Sequence, residues 1–494
     1  MPVPVTMSST SAPATVDTRT DSRWFLPGVV GITAIGAGLA LWHLGRESLW
    51  MDEGVAVAFT RSSWFAVAFR DNGSGALYLL LLKGWAQLFS SEVGIRLLSV
   101  GPFIGTIPVV AALGRRLITP AAGLVAATVV AINADTLFWA RAARGYSLEV
   151  FLTAVALLLV VVGVDERRRG TLVAAVFVGA AAGWVHPVGA VAFAVVIATL
   201  WLLPRDSLPI RPGVLLLALG VLLVPLGVAL ASAGTGQISW LGEGGYAKFP
   251  AIVLNVLGGH VLGLPVLLLA SIGAVAAFLE HRDKLRTVAA WRAMVPILCV
   301  AGTLLVILAV SVRQSLIAEP YILLLLPSTA LAVGMATTIE RWRRVATAVV
   351  AATAFAAAVS FVHKDSAGQE DIRAAVAAIS ARSRPGDAIV LNPTPLAGGF
   401  EFYLDQRPTP FPDPLVPTGR WGALPVNNLD DLNGRYLGLL RATAGRDRVW
   451  LVQRLGGSVV NADAVRAVLR DGRSVVETIN EQKLTIELYA RNGG

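Results

Sequence analysis

The 494-residue chain has a single cysteine, Cys299, and one thiol cannot close an intramolecular disulfide, so the redox compartment is not readable from it. There are five histidines, and no two of them share metal-ligand spacing with that cysteine. The pattern therefore points to no metal centre and leaves a divalent cation open. Charged residues make up 15% of the chain, against roughly 25% in soluble domains. No basic run carries interleaved aromatics, which argues against a nucleic-acid partner. A Gly-rich phosphate loop is absent, and so is an internal repeat of the kind expected of many transporters. The polar N-terminus, residues 1–23, is too long for a signal n-region, and no small-residue cleavage site follows it. The first apolar run, from Trp24, reads as a retained anchor.

What is present is apolar. Hydrophobic residues reach 55% and mean hydropathy is +0.67. Apolar runs fall near 24–45, 76–89, 95–113, 121–139, 146–164, 171–185, 188–203, 213–232, 251–279, 293–312, 321–339 and 345–362. A spanning helix needs about 20 residues. The expected fold is a mainly α, polytopic membrane bundle of eleven to twelve spans over residues 24–362. The 321–339 and 121–139 runs read as single helices, and Gly258-Gly259-His260 suggests a break in 251–279.

Basic clusters at Arg115-Arg116, Arg167-Arg168-Arg169, Arg205/Arg211, 281–286 and 341–344 place alternate loops on the cytoplasmic side. The intervening loops are then external: 140–146, His186-Pro187, 234–250 and 313–320. The segment 46–92 becomes an external stretch lying on the membrane, and the N-terminus is cytoplasmic. Residues 363–494 carry 16 Lys and Arg against 15 Asp and Glu, while 25 against 17 precede them. The positive excess thus belongs to the membrane part, where it sets orientation and contacts anionic lipids.

After residue 362 the pattern changes. EDIRAAVAAISAR, LDDLNGRYLGLLRAT and ADAVRAVLR have helical periodicity, and DAIVLNP, RVWLVQRL, SVVETI and LTIELYAR read as short strands. Residues 363–494 are expected to form a small α/β domain on the external side. The Pro-rich stretch 407–420 reads as loop.

Several polar groups stand out against the apolar background. Asp52 and Glu53 follow the first span in LWMDEG, with Trp50 in the position of an interfacial anchor. One interfacial acid commonly marks the water boundary; a pair followed by the amphipathic VAVAFTRSSWFAVAF suits a general base toward a hydroxyl. In ARAARGYSLE, Arg141 and Arg144 are spaced i,i+3 on an expected helix face, with Tyr146 beside them. Guanidinium groups bind phosphate through paired hydrogen bonds, so a phosphate-bearing lipid is a natural ligand. Asp135 is an acid in an apolar helix, and such residues are functional candidates. Lys83 in the 76–89 run can snorkel to the interface. Arg96, His186 and the Glu319-Pro320-Tyr321 turn complete the set.

Taken in order, LWMDEG, ALYLLLLKGWAQLFSSEVGIRLLSVGPFIGTIPVVAALGRRL and ADTLFWARAARGYSLEVFL resemble the protein O-mannosyltransferase and aminoarabinose transferase clan of the glycosyltransferase-C superfamily. The resemblance is clearest over residues 40–200. It implies a polyprenyl-phosphate-linked sugar donor and transfer to a hydroxyl of a glycan, lipid or protein, with inversion and on the external face of the plasma membrane. It implies Asp52 as catalytic acid residue with Glu53 as its partner. Arg141, Arg144 and Tyr146 fall on the donor face, and Arg96 matches the arginine of the clan's R-L-x-S element. Tyr78, Lys83, Asp135, His186 and Tyr321 join the expected substrate-binding set. Two elements depart from the clan: Gly73-Ser74-Gly75-Ala76-Leu77-Tyr78 replaces H-P-P-L-Y, and Glu319-Pro320-Tyr321 replaces an R-Y pair, with Arg313 near enough to substitute. Mannose and arabinose are the sugars suggested by this likeness. A lipid-linked-sugar translocase and a non-catalytic membrane scaffold are the competing readings.

Overall fold

The structure, a computed structural model, describes residues 18–233, 245–363, 369–406, 411–416, 443, 445–455 and 462–492. Helix α1 (Thr18–Leu41) is the first apolar helix, and the segment after it folds into three short ones, α2 (Met51–Phe59), α3 (Trp64–Phe69) and α4 (Ala76–Ala86). Helix α5 (Glu92–Leu117) starts where Ser91 Oγ accepts the Gly94 N–H at 3.1 Å. The 121–139 run is not one helix. It divides into α6 (Pro120–Ile132) and α7 (Ala134–Ala140), bent by 59°. Asn133 makes the break: its side chain caps α7 by accepting from Thr136 N at 2.9 Å and donates to Val256 O at 2.8 Å.

Next come α8 (Tyr146–Asp165), α9 (Arg169–Val185), α10 (Pro187–Thr199) and α11 (Pro212–Ala233). Pro187 stops α9 and begins α10, as its fixed φ and missing N–H allow. Helix α12 (Gly245–Val256) and α13 (Gly259–His281) are separated at Gly258, whose φ of +129° only glycine takes easily. Helix α14 (Val288–Ser311) is again long, and the 321–339 run splits into α15 (Glu319–Leu323) and α16 (Leu326–Ala336). Helix α17 (Glu340–His363) ends the bundle.

Among the described residues, α1, α5, α8, α11, α13 and α14 are long and apolar enough to cross a membrane, and the bent α6–α7 pair would make a seventh. Of the remaining apolar runs, α4, α9, α10 and α16 are shorter apolar helices, and 345–362 lies in the 24-residue α17. One end of the bundle is tied by ion pairs from the last turn of α5 and the first turns of α14 to the C-terminal end of α8. Arg116 meets Glu166 at 3.3 Å, and Arg292 Nε donates to Asp165 at 2.9 Å. Arg116, and the 167–169 cluster that follows Glu166, belong to the basic set read as cytoplasmic. Helix α5 runs about 39 Å at 1.5 Å per residue, so its first turn lies at the opposite end, beside α2.

The C-terminal part contains α18 (Ile372–Ser380), β1 (Ala388–Asn392), α19 (Leu396–Gln406), β2 (Asp413–Val416), β3 (Arg448–Arg454), α20 (Ala462–Arg470), β4 (Arg473–Glu481) and β5 (Leu484–Arg491). Its sheet has the order β2-β1-β3-β5-β4. Strand β1 is parallel to β2 and β3, and β5 is antiparallel to β3 and β4. Strand β1 is buried along its whole length, which explains its unbroken apolar character. The Pro-rich stretch expected as loop contains β2, and α19 is a helix that its prolines and glycines concealed. The expected helix over 429–443 lies, except for Thr443, outside the described residues. One hydrophobic core joins this part to the bundle: Leu49, Val57, Phe59 and Leu82 pack with Ile372, Leu396, Phe400 and Trp450.

Candidate active site

Successive residues on a helix point about 100° apart, so the adjacent acids of α2 face different surroundings. Glu53 is fully buried. Its Oε1 accepts from Arg96 Nε at 2.9 Å and from Ala143 N at 2.7 Å; its Oε2 accepts from Arg96 Nη2 at 2.7 Å and from Trp50 N at 3.3 Å. Arg96 spends its other hydrogens on the carbonyls of Leu44, Glu47 and Ser48, at 2.8, 2.9 and 2.8 Å. Asp52 is partly exposed, and among the described residues no hydrogen bond or ion pair holds its carboxylate. One acid is therefore locked into the scaffold and the other is available.

Around Asp52 stand cationic and aromatic groups. Arg144 Nη1 lies 3.5 Å from the Asp52 carbonyl oxygen, and its guanidinium sits 5.8 Å above the Tyr146 ring. Ser99 Oγ holds the Arg144 carbonyl at 3.0 Å and meets Tyr78 Oη at 2.9 Å. A line of rings leads away from the acid. Trp50 is 6.4 Å from Trp139, Trp139 is 4.5 Å from Tyr146, Tyr146 is 5.9 Å from His186, and His186 is 4.5 Å from Tyr321.

The shared helix face expected for Arg141 and Arg144 is not found. Helix α7 ends at Ala140, and residues 141–145 form a turn that sends the two guanidiniums apart. Arg141 Nη2 donates to His43 O at 3.3 Å and lines a cavity of about 50 Å³ with Glu47, Glu53, Arg96 and Gln369. Burial lowers its pKa from the ordinary arginine value, with nearby Glu47 opposing the shift.

The structure thus brings Asp52, Arg144, Tyr146, His186 and Tyr321 to one end of the bundle, while other expected residues serve it from behind. Lys83 Nζ donates to the carbonyls of Thr60 and Ser62 at 2.7 and 2.8 Å, where α2 ends and an ammonium suits the exposed carbonyls. Tyr78 braces Ser99, and Arg96 pairs with Glu53. Asp135 lies in the first turn of α7, in the field of Glu319, which itself accepts from Asn255 Nδ2 at 2.8 Å. The sequence reading passed over Glu149. Its carboxylate is buried and, among the described residues, has no hydrogen bond of ordinary geometry, with His186 Nδ1 at 3.6 Å. An acid within an apolar helix was the available signal, the same one that drew attention to Asp135. Among the described residues no group of three or more His, Cys, Asp or Glu could hold a metal ion.

No protein-family model and no curated protein matches the sequence. Solved structures are similar over most of the chain. The apo structure of ArnT from Cupriavidus metallidurans aligns with 95% of this chain and 98% of its own, at 14% identity and a TM-score of 0.62. The same protein bound to undecaprenyl phosphate covers 93% and 97%, at 15% identity and 0.60. The apo oligosaccharyltransferase of Archaeoglobus fulgidus covers 92% of this chain and 72% of its own, at 12% identity and 0.54. With Asp52 and its aromatic line at one end of a polytopic helical bundle, and a small mixed sheet packed against that end, the chain has the glycosyltransferase-C (GT-C) fold.

Proposed function

We propose that the protein is a membrane glycosyltransferase that takes a sugar from a polyprenyl-phosphate donor and transfers it, with inversion, to an acceptor hydroxyl. The unpartnered Asp52 carboxylate beside Arg144 and Tyr146, in this fold, is the observation that carries the reading. Asp52 accepts the proton of the acceptor hydroxyl as its oxygen attacks the anomeric carbon. The glycosidic bond to the lipid phosphate breaks, and the phosphate leaves with its charge facing Arg144. Fixed donors aimed at a developing anion are a large catalytic contribution. The line Trp50–Trp139–Tyr146–His186–Tyr321 offers ring faces along which a sugar can lie. Undecaprenyl phosphate on the similar ArnT supports a polyprenyl-phosphate donor, and the end opposite the basic loops supports an external reaction face at the plasma membrane. The transferred sugar is mannose or an arabinose-like pentose.

Mass spectrometry of cell-envelope glycans from a deletion strain is the decisive measurement. One mannose or pentose residue per acceptor should disappear and return on complementation with the wild-type gene. Unchanged glycans would end the proposal. Arg144→Ala should lower kcat/KM for the donor about 10²-fold. Arg144→Lys should recover only part of it, because a lysine cannot present paired hydrogen bonds to phosphate. Equal rates for all three proteins in a donor-dependent transfer assay would remove Arg144 from the mechanism.

A further inference from the structure

We propose that the C-terminal α/β domain positions Asp52 by seating α2 on the two-glycine step of α19; the inference rests on the reading of Asp52 as the proton acceptor. Helix α2 has nine residues, and isolated helices shorter than about 12–15 residues are marginal in water. Its pose therefore comes from what it packs against. Gly54, two residues after Asp52, meets Gly398 and Gly399 of α19 backbone to backbone. A Cβ on Gly398 would lie 2.5 Å from Gly54 O, and one on Gly54 would lie 2.7 Å from Gly399 Cα. Glycine within a helix is destabilising relative to alanine, and the close approach it permits is what these glycines gain.

Polar contacts hold both ends of the same helix to the same domain. Glu370, buried and ion-paired with Arg454 of β3, accepts from Met51 N at 3.2 Å, one of the open N–H groups of the first turn of α2. Ser48 Oγ lies 3.0 Å from both Glu370 O, to which it donates, and Ile372 N, from which it accepts. Tyr403 Oη accepts from Leu49 N at 2.7 Å and donates to Glu92. Burial and the neighbouring Glu92 raise the Tyr403 pKa above the ordinary tyrosine value, which keeps that hydroxyl a donor. Past the C-terminal end of α2, Arg61 pairs with Glu401 and Asp405 of α19, both at 2.8 Å. Gly398, Glu370 and Tyr403 are thus positioning residues acting through α2.

The test uses the full-length protein in lipid nanodiscs, with membranes of a deletion strain as acceptor and polyprenyl-phosphate-linked mannose or arabinose as donor. In Gly398→Val, amide exchange of the 48–59 peptide should rise at least tenfold while β1 and β3 stay protected. The kcat should fall at least tenfold with donor KM within twofold of wild type. Should Gly398→Val unfold the small domain, Arg61→Ala gives a milder version, with about threefold effects on the same two readouts. Exchange at 48–59 that matches wild type in both variants would overturn the seat, and so would faster exchange with unchanged kcat. If the wild type transfers nothing while Gly398→Val still loosens α2, the glycosyl-transfer reading fails and the docking contact stands.

Discussion

Asp52→Asn should lower sugar transfer about 10²–10⁴-fold, the usual contribution of a positioned general base. The substitution keeps size and shape and removes only the capacity to take a proton. It should leave the fold intact, because among the described residues nothing is bonded to that carboxylate. The expected signature is wild-type expression and donor KM with a collapsed kcat. Asp52→Glu should recover part of the rate, since the base returns but one methylene further out. Normal turnover by Asp52→Asn would exclude proton acceptance at this position.

The neighbouring acid should behave in the opposite way. Arg96→Met leaves the Glu53 carboxylate buried without its cation, and breaking a buried pair from one side typically costs 3–5 kcal/mol, roughly. All five N–H groups of Arg96 are used: Nε and one Nη2 hydrogen on Glu53, the others on three carbonyls. The loss therefore also frees the 44–48 turn. Thermal unfolding in detergent should show a large drop for Arg96→Met and for Glu53→Ala. The double variant Glu53→Leu/Arg96→Met should lose less than the sum of the two single changes, because no lone charge remains. An Arg96→Met protein as stable as wild type would show that the pair does not hold α2.

These opposed expectations mark where the sequence was informative. LWMDEG announced two acids at a boundary, and the resemblance implied that both act in catalysis. Only three-dimensional neighbours separate them: the partner of Glu53 is 43 residues away on α5, and its third donor, Ala143 N, is 90 residues away. The bundle itself was legible because long apolar runs leave few alternatives, and the strands of the small domain were legible because buried β-sheet favours runs such as AIVLN and VWLV. Helix α19 was not. PTPLAGGFEFYLDQ carries two prolines and two glycines, local signals for a loop, and the glycines are there for a contact with Gly54 that no local pattern reveals. The shared face expected of Arg141 and Arg144 failed for a related reason. ARAAR has good helix formers, but the chain turns at Arg141, and a count of i,i+3 then no longer describes a face.

The attachment of α2 to Glu370, Gly398 and Tyr403 also has a consequence in time. Those partners are synthesised some 320 to 350 residues after the helix they hold, as the separations of 322 and 354 residues in the Ser48 and Leu49 contacts show. At about 5–20 residues per second, the ribosome takes roughly 16–70 seconds to cover that distance. Throughout that interval the first helices are already made, and α2 has its contacts to α5 and Ala143 but not its seat on α19. On the proposed reading, a nascent chain lacks the seat of α2 until residues 370–403 emerge and fold, and a ribosome stalled before them should yield a chain that inserts in the bilayer but transfers sugar poorly.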